Sequence, residues 1–226
     1  MVINVPSLAN ISLLEMESKV QQLVEGGVRC FHVDIMDGHY VPNLCFPPSF
    51  VRDLKKKYPH CMVEVHLMAE NPMSYFSLLG EYGADCISFH LGTTPFTVRA
   101  LTMLGELEIK AGVVLNPSQP VEMLEPFAHL LDYVVFMSVE PGYAGQRFLP
   151  GAMERLAELS DFRRRHRLCF QILVDGGVSY EVADQCIRNG ADMLVTGIYM
   201  IFDQPDGIVE ACKRFEEAFG GVRQNV

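Results

Sequence analysis

Long apolar runs are missing from this chain of 226 residues, and none of its apolar segments approaches the length of a membrane span. It also lacks a recognisable signal peptide, linker and low-complexity segment. The seven cysteines are odd in number and show no Cys-x-x-Cys spacing, which argues against a disulfide framework and against a cysteine zinc site. We therefore expect a soluble, cytoplasmic protein.

Positive charge is scarce as well. The 18 lysines and arginines face 28 acidic residues, so the formal net charge is -10. This balance argues against nucleic acid or an anionic membrane surface as a partner. It does not exclude small anionic substrates, because local backbone N–H groups can bind phosphate whatever the net charge.

What the chain does have is a regular alternation of short apolar segments and longer amphipathic ones. The predicted strands are 2–7, 30–36, 62–68, 86–91, 110–116, 133–139, 170–175 and 193–197. The predicted helices are 11–26, 48–57, 72–82, 95–106, 120–131, 149–166, 179–189 and 205–219. Strict alternation predicts an α/β protein with a parallel sheet and outer helices, and eight units fit one (β/α)8 TIM barrel domain over 1–226. A doubly wound open sheet is the alternative, but no Gly-x-Gly-x-x-Gly follows the first strand.

Ionisable side chains are placed at the predicted ends of three strands. His32 and Asp34 are two residues apart, so both project from the same face of their strand. His66 and Asp175 lie near the ends of two other strands. In a barrel these ends meet at the mouth, where two imidazoles and two carboxylates would converge. Such a ligand set suits one divalent metal ion, either Zn(II), Fe(II), Mn(II) or Co(II).

Each of these residues taken singly is more often structural, and the case rests on all four being in register at strand ends. Other ionisable residues nearby have plainer interpretations. Asp37 precedes a glycine, where aspartate commonly accepts hydrogen bonds from its own backbone. We expect His39 to lie in a loop, and His90 and His129 to be hydrogen-bonded structural groups.

Glycines follow the last three predicted strands, in PGYAGQ (141–146), at Gly176 and Gly177, and at Gly197. Glycine lets backbone N–H groups approach an anion closely, and barrels often bind phosphate with the loops after strands seven and eight. The pattern predicts a phosphate site at this end. Met36, Met68 and Met137 are predicted near the same rim, either as gap-filling core residues or as a cushion over a ligand.

With these residues in hand, the sequence resembles the ribulose-phosphate 3-epimerase family. The matching segments are HVDIMDGHYVPN (32–43), EVHLMAENP (64–72), MSVEPGYAGQRF (137–148), LVDGGV (173–178) and GADMLVTG (190–197). The resemblance implies a ribulose-phosphate-binding barrel that forms a homo-oligomer, a dimer or hexamer. It implies a metal held by His32, Asp34, His66 and Asp175, with Asp34 and Asp175 as the acid/base pair. It also implies that the phosphorylated ketose is surrounded by Ser7, His66, Gly142, Tyr143, Ala144, Gly145, Gly176, Gly177, Gly197 and Ile198.

The sequence departs from the common pattern of that family at several positions. Ala144-Gly145 stands where Gly-Gly is frequent, Gly197-Ile198 where Gly-Ser is usual, and no glycine lies near Pro47. Leu8-Ala9-Asn10 replaces the expected Ser-Ala-Asp. Several of these choices resemble the related allulose-6-phosphate 3-epimerases. The expected substrate is D-ribulose 5-phosphate, with D-allulose 6-phosphate as the alternative.

Two other functional classes stay open. A phosphate-binding barrel lyase would also proceed through an enediolate, but such enzymes usually bring a lysine to the strand ends, and Lys110 begins its strand at the opposite end. A non-catalytic sugar-phosphate binder or regulator would not need both aspartates. The epimerase is the hypothesis that uses every residue of the constellation.

Overall fold

The computed structural model describes residues 2–221 and shows eight strands in one parallel sheet. The strands are β1 (Ile3–Pro6), β2 (Cys30–Met36), β3 (Met62–Met68), β4 (Cys86–His90), β5 (Lys110–Leu115), β6 (Tyr133–Met137), β7 (Gln171–Asp175) and β8 (Met193–Thr196). Sequential strands pair from β2 to β8, and β8 pairs with β1. A parallel bridge between Ser7 and His32 joins the two remaining edges. The predicted barrel is confirmed, and the doubly wound alternative is wrong.

Seven α-helices lie in the described residues: α1 (Met16–Glu25), α2 (Ser49–Lys57), α3 (Phe76–Glu81), α4 (Thr97–Glu106), α5 (Ala152–Arg165), α6 (Tyr180–Arg188) and α7 (Ile208–Phe215). The predicted helix over 120–131 is wrong. Two 3-10 turns, Val121–Leu124 and Ala128–Leu130, stand there instead. Pro126 explains the interruption, since proline lacks an N–H donor and disfavours helical geometry in the residue before it.

Helix starts also differ from the sequence prediction. Residues 12–15 form a turn in which the Glu15 N–H donates to the Ser12 carbonyl, so α1 begins at Met16 rather than at 11. Gly151 and Gly207 have φ of 79° and 86°, so α5 and α7 begin just after them. No helix in residues 2–221 combines the length and apolar character that a membrane span requires.

The core has two layers, and β2 shows how the sequence divides between them. Phe31, Val33 and Ile35 point outward and are buried in the layer shared with the helices. Full burial of each such side chain stabilises the fold by about 1.5–3 kcal/mol. His32 and Asp34, at the alternate positions, point into the barrel. The same alternation that fills the outer core therefore delivers ionisable groups to the barrel axis.

Candidate metal centre and substrate cavity

Three strands bring four ionisable side chains to one point near the carboxyl end of the barrel. Asp34 of β2 pairs in register with His66 of β3, and His32 lies two residues below Asp34. Asp175 is the last residue of β7. His32 is fully buried beneath the cavity floor, His66 and Asp34 are nearly so, and the Asp175 side chain is 15% exposed.

The donor atoms are spaced as the ligands of one ion would be. His66 Nδ1 lies 3.3 Å from His32 Nε2, 3.4 Å from Asp34 Oδ1 and 3.3 Å from Asp175 Oδ2. His32 Nε2 is 3.2 Å from Asp34 Oδ1 and 3.7 Å from Asp175 Oδ2. Tetrahedral ligands about 2.0–2.1 Å from a metal are about 3.3–3.4 Å apart. Two imidazoles and two carboxylates with this spacing fit a divalent cation.

The carboxylates of this cluster favour positive charge on the neighbouring imidazoles. Burial by itself lowers the pKa of His66, but the hydrogen bonds that its imidazole donates to Asp175 and Asp34 outweigh this effect and raise that pKa to about 9. For His32, burial again opposes the charge, yet Asp34 and Glu64 raise its pKa well above the ordinary value. Burial would raise the pKa of Asp34, but contact with His32 holds it well below its usual range. A bound metal ion would take the place of the imidazole protons that these carboxylates favour.

Glu64 is a functional residue that the sequence argument missed. It is 2% exposed, and its Oε2 lies 2.6 Å from His32 Nδ1. Its Oε1 accepts hydrogen bonds from Ser88 Oγ and the Tyr133 hydroxyl, both at 2.9 Å. A carboxylate behind a histidine orients the ring and directs its other nitrogen to a metal. The signal was present, since Glu64 precedes His66 by two residues in an apolar strand.

An open cavity lies above the cluster, and fifteen of the sixteen predicted site residues line it: Ser7, Asp34, Met36, His66, Met68, Met137, Gly142, Tyr143, Ala144, Gly145, Asp175, Gly176, Gly177, Gly197 and Ile198. The exception is His32, which lies under the floor. Asp34 belongs both to the cluster and to the cavity wall. Its Oδ1 faces the imidazoles, while its Oδ2 accepts a 2.7 Å hydrogen bond from Ser7 Oγ. The Ser7 hydroxyl therefore orients this carboxylate.

Two glycines after β7 have conformations that favour residues without a side chain. Gly176 and Gly177 have φ of 115° and 60°, and a Cβ on Gly177 would lie 2.4 Å from the backbone nitrogen of Phe148. The backbone at Gly177 therefore lies too close to the backbone at Phe148 for any side chain at position 177. In the described part of the chain, no lysine or arginine lines the cavity, so an anion there would be held by N–H groups and neutral side chains.

The loop after β2 packs on the loop after β6 at the cavity rim. The Asn43 side-chain amide donates to the Gly142 carbonyl at 2.8 Å, and the Tyr143 hydroxyl donates to the Pro42 carbonyl at 3.0 Å. Asp37 anchors the first loop by accepting hydrogen bonds from the backbone N–H groups of His39, Tyr40 and Glu70. The structural interpretation of Asp37 is confirmed.

Of the other histidines singled out in the sequence, His39 and His90 behave as expected, whereas His129 lies in a 3-10 turn instead of the predicted helix. The His39 side chain is 72% exposed in a loop, and His129 lies in the second 3-10 turn. His90 is buried and hydrogen-bonded to both Asn116 and His66. That a partner of His90 is His66, one of the four clustered residues, could not be foreseen from the sequence.

Comparisons with protein families and with individual proteins point to the same family. The pattern described as the ribulose-phosphate 3 epimerase family matches residues 3–201. Ribulose-phosphate 3-epimerase of Bacillus subtilis is 34% identical over 91% of this chain and 95% of its own length. The Rhodospirillum rubrum enzyme of the same name is 40% identical over 75% and 74%. Among solved structures, 3-hexulose-6-phosphate synthase from Salmonella typhimurium is similar in fold, with a TM-score of 0.69, 17% identity, and coverage of 95% and 97%.

Proposed function

Because the chain belongs to the ribulose-phosphate 3-epimerase family, we propose that it is an isomerase that interconverts D-ribulose 5-phosphate and D-xylulose 5-phosphate. The observation that carries this proposal is the metal-ligand cluster at the floor of a glycine-lined cavity. It offers two carboxylates to one substrate carbon. A pair of acid/base groups is what inversion at a carbon next to a ketone requires.

The two aspartates are proposed to move the proton. One carboxylate removes the hydrogen of carbon 3 from one face, and the other, protonated, returns a hydrogen to the opposite face. Asp34 and Asp175 come from β2 and β7, and they approach His66 Nδ1 from separate strands at 3.4 and 3.3 Å. In either direction one of the two carboxyl groups begins ionised and the other begins protonated. The roles exchange when the reaction runs in reverse.

His32, Asp34, His66 and Asp175 are proposed to hold one divalent ion, either Zn(II), Fe(II), Mn(II) or Co(II). When bound, such an ion supplies Lewis-acid stabilisation of the negative charge that develops on the substrate oxygens. The protein residues orient and support it. Ser7 positions the Asp34 carboxylate, and Met36, Met68 and Met137 give the cavity floor an apolar surface around the reacting carbon.

The phosphate is proposed to lie at the glycine-rich end of the cavity, beside Gly145, Gly177, Gly197 and Ile198. These residues line the cavity opposite β2 and β3, and backbone N–H groups there can bind an anion without a cationic side chain. Ala144 and Ile198 are the departures that keep D-allulose 6-phosphate as a second candidate, because both line this end of the cavity. A longer sugar would have to be accommodated between them and the metal.

We extend the proposal to a homo-oligomer, a dimer or hexamer, in the cytoplasm. Leu13, Leu14 and Leu44 are 75%, 98% and 73% exposed on the loops after β1 and β2, at the mouth of the barrel. Exposed apolar side chains on neighbouring loops are what an associating surface would present. The seven cysteines are all free, as in a reducing compartment. Light scattering of the purified protein tests the assembly, and cell fractionation tests the location.

The substrate assignment is tested by product analysis. Protein reconstituted with each of the four metals is given D-ribulose 5-phosphate or D-allulose 6-phosphate, and the sugars are separated after dephosphorylation. We expect xylulose from the first substrate at the higher kcat/KM, loss of activity with a chelator, and recovery on adding metal back. Faster conversion of allulose 6-phosphate to fructose 6-phosphate would replace the pentulose assignment. Inertness toward both sugars in metal-loaded protein would contradict the proposed reaction.

A further inference from the structure

A chain of hydrogen-bonded side chains runs from the metal cluster away from the cavity. His66 Nε2 lies 2.8 Å from His90 Nε2, and His90 Nδ1 lies 2.9 Å from Asn116 Oδ1. The Asn116 amide nitrogen then donates to the Tyr40 hydroxyl at 2.8 Å. We refer to His66, His90, Asn116 and Tyr40 as the back-side chain. Only His66 among them lines the cavity, so the other three act on a substrate only through it.

His90 is enclosed between aromatic rings. It is 0% exposed, its ring stacks on His66 with centroids 5.0 Å apart, and the Tyr40 ring lies 4.5 Å away on centroids. Its two hydrogen-bond partners, His66 and Asn116, carry no carboxylate, and burial favours the neutral form of an imidazole. A neutral imidazole has one donor nitrogen and one acceptor nitrogen. The protonation of each ring therefore determines the protonation of the next.

The direction of the hydrogen bonds follows from the cluster. A metal ligand must be an unprotonated nitrogen, and the nitrogen of His66 that faces the other ligands is Nδ1. Its proton must then be on Nε2, where it is donated to His90 Nε2. The His90 proton is consequently on Nδ1 and points to an acceptor, which is the amide oxygen of Asn116. Rotating the Asn116 amide by 180° would reverse every bond and protonate the nitrogen that faces the metal.

We propose that His90 and Asn116 are positioning residues that hold His66 as the tautomer protonated on Nε2, so that Nδ1 is presented to the metal. This inference rests on the proposed function, since it concerns the same metal site. It complements the support of the other imidazole. His32 places Nδ1 2.6 Å from Glu64 Oε2 and presents Nε2, whereas His66 places Nε2 2.8 Å from His90 Nε2 and presents Nδ1.

Asn116 is the best position for a test, because its backbone is held independently of its side chain. The Asn116 N–H donates to Gln119 Oε1 at 2.9 Å, and Arg155 Nη2 donates to the Asn116 carbonyl at 3.0 Å. Asn116→Leu removes the acceptor at nearly constant size. Asn116→Asp keeps an acceptor toward His90 that cannot be reversed, and the Tyr40 hydroxyl can rotate to donate to it.

The experiment measures the dissociation constant of Zn(II) by competition with a chromogenic chelator. We expect Asn116→Leu to bind Zn(II) about 10–100-fold more weakly than wild type, as loss of an outer-shell partner usually does. Asn116→Asp is expected to restore affinity to about the wild-type level, because it preserves the direction of the chain. Tyr40→Phe is the matched control, since it removes only the last hydroxyl and leaves both histidine bonds in place.

A second measurement does not depend on any variant. Proton–nitrogen correlation spectra of Zn(II)-loaded, 15N-histidine-labelled wild type should show His66 protonated on Nε2 and His32 protonated on Nδ1. Proton placement on Nδ1 of His66 would overturn the proposal. So would Asn116→Leu with wild-type affinity, or equal losses in Asn116→Leu and Asn116→Asp. Wild-type protein that binds no Zn(II) would instead overturn the proposed function itself, and the positioning role with it.

Discussion

His32 and His66 face the same point with different ring nitrogens, and the difference follows from what lies behind each ring. Behind His32 is the anionic carboxylate of Glu64, with Oε2 2.6 Å from Nδ1, whereas behind His66 is the imidazole of His90, with Nε2 2.8 Å from Nε2. A carboxylate makes the imidazole it supports more basic than a neutral partner does. At the scale of single residues, affinity for the metal therefore depends on groups that never touch it.

Glu64→Gln is predicted to weaken Zn(II) binding by about 10–100-fold, because it removes the negative charge behind His32. The measurement is the same chelator competition. Tyr133→Phe is the matched control: it removes one donor to Oε1 of Glu64 but leaves the Oε2 contact with His32 intact. Loss of affinity in Tyr133→Phe as large as that in Glu64→Gln would mean that packing, not charge, matters here.

Asp175→Asn is predicted to lower kcat by about 10²–10⁴-fold, the usual contribution of a positioned acid/base group. The amide cannot exchange a proton with carbon 3, and its oxygen is a weaker metal ligand, so metal content is measured on the same sample. Thermal unfolding should stay close to wild type because the Asp175 side chain is partly exposed at the strand end.

Asp184→Asn, on the exposed face of α6, controls for loss of one negative charge. Turnover near the wild-type value in metal-loaded Asp175→Asn would exclude Asp175 from the proton transfer.

At the scale of elements, the sequence predicted best where alternation was strict. The bounds of β2 and β3 agree with the prediction to the residue, because apolar and ionisable positions alternate without interruption. The helix over 120–131 failed because apolar spacing continues across Pro126, which breaks the backbone pattern without disturbing the side-chain pattern. The spacing of apolar residues indicates which side of a segment is buried. It does not show whether the segment forms one unbroken helix.

The sequence contains Gly-Ala-Asp twice, at 83–85 and 190–192, and the structure shows that both aspartates have the same role. Asp85 accepts a hydrogen bond from the Val63 N–H, and Asp192 accepts one from the Ile172 N–H, so each aspartate holds the neighbouring strand at its start. Each also pairs with a cation, Lys55 in the first case and Arg163 in the second. These contacts join residues between 20 and 30 positions apart and depend on strand register, which one sequence does not specify.

The candidate site was also predictable in part. Its four ligands stand out as ionisable residues at strand ends, so residue type and spacing were sufficient to find them. Glu64 and His90 were overlooked in this role because their partners are brought close only by barrel closure and strand register. The residues that face the cavity could be identified from the sequence. The residues behind the two imidazoles, Glu64 and His90, could not.

Gly112→Ala in β5 is predicted to destabilise the fold by about 1–3 kcal/mol, the cost of overpacking. A Cβ at Gly112 would lie 2.5 Å from the Tyr133 ring, which bonds to Glu64 inside the barrel. Gly105→Ala in α4 meets nothing within 4 Å and should instead stabilise by about 0.5–1 kcal/mol through helix propensity. Chemical denaturation of both variants measures the difference. Equal effects would mean that the Tyr133 ring moves freely.

For the molecule as a whole, the cluster of His32, Asp34, His66 and Asp175 makes the free energy of unfolding depend on pH. The pKa of His66 is raised to about 9 in the folded, metal-free protein, against about 6.5 for an unfolded chain. The folded state binds this proton more tightly, so the resulting stabilisation is fully present below about pH 6.5 and lost as pH rises through about 9. A metal ion competes with the same proton, so its stabilisation grows over this range.

The melting temperature of metal-loaded protein is therefore predicted to exceed that of metal-free protein by a margin that widens between pH 6.5 and 9. Free metal at 100 times its dissociation constant adds about 2.7 kcal/mol, which corresponds to roughly 5–10 °C for a chain of this size. Differential scanning calorimetry of both forms across this range measures the margin. A margin that narrows as the pH rises would contradict proton displacement from the imidazoles.

If two carboxylates epimerise carbon 3, the hydrogen of that carbon must exchange with solvent. Metal-loaded protein is given D-ribulose 5-phosphate in deuterated water, and carbon 3 is followed by NMR. We predict that deuterium enters carbon 3 as D-xylulose 5-phosphate forms. Epimer that keeps its original hydrogen at carbon 3, or the absence of both exchange and epimer in protein shown to hold metal, would contradict it.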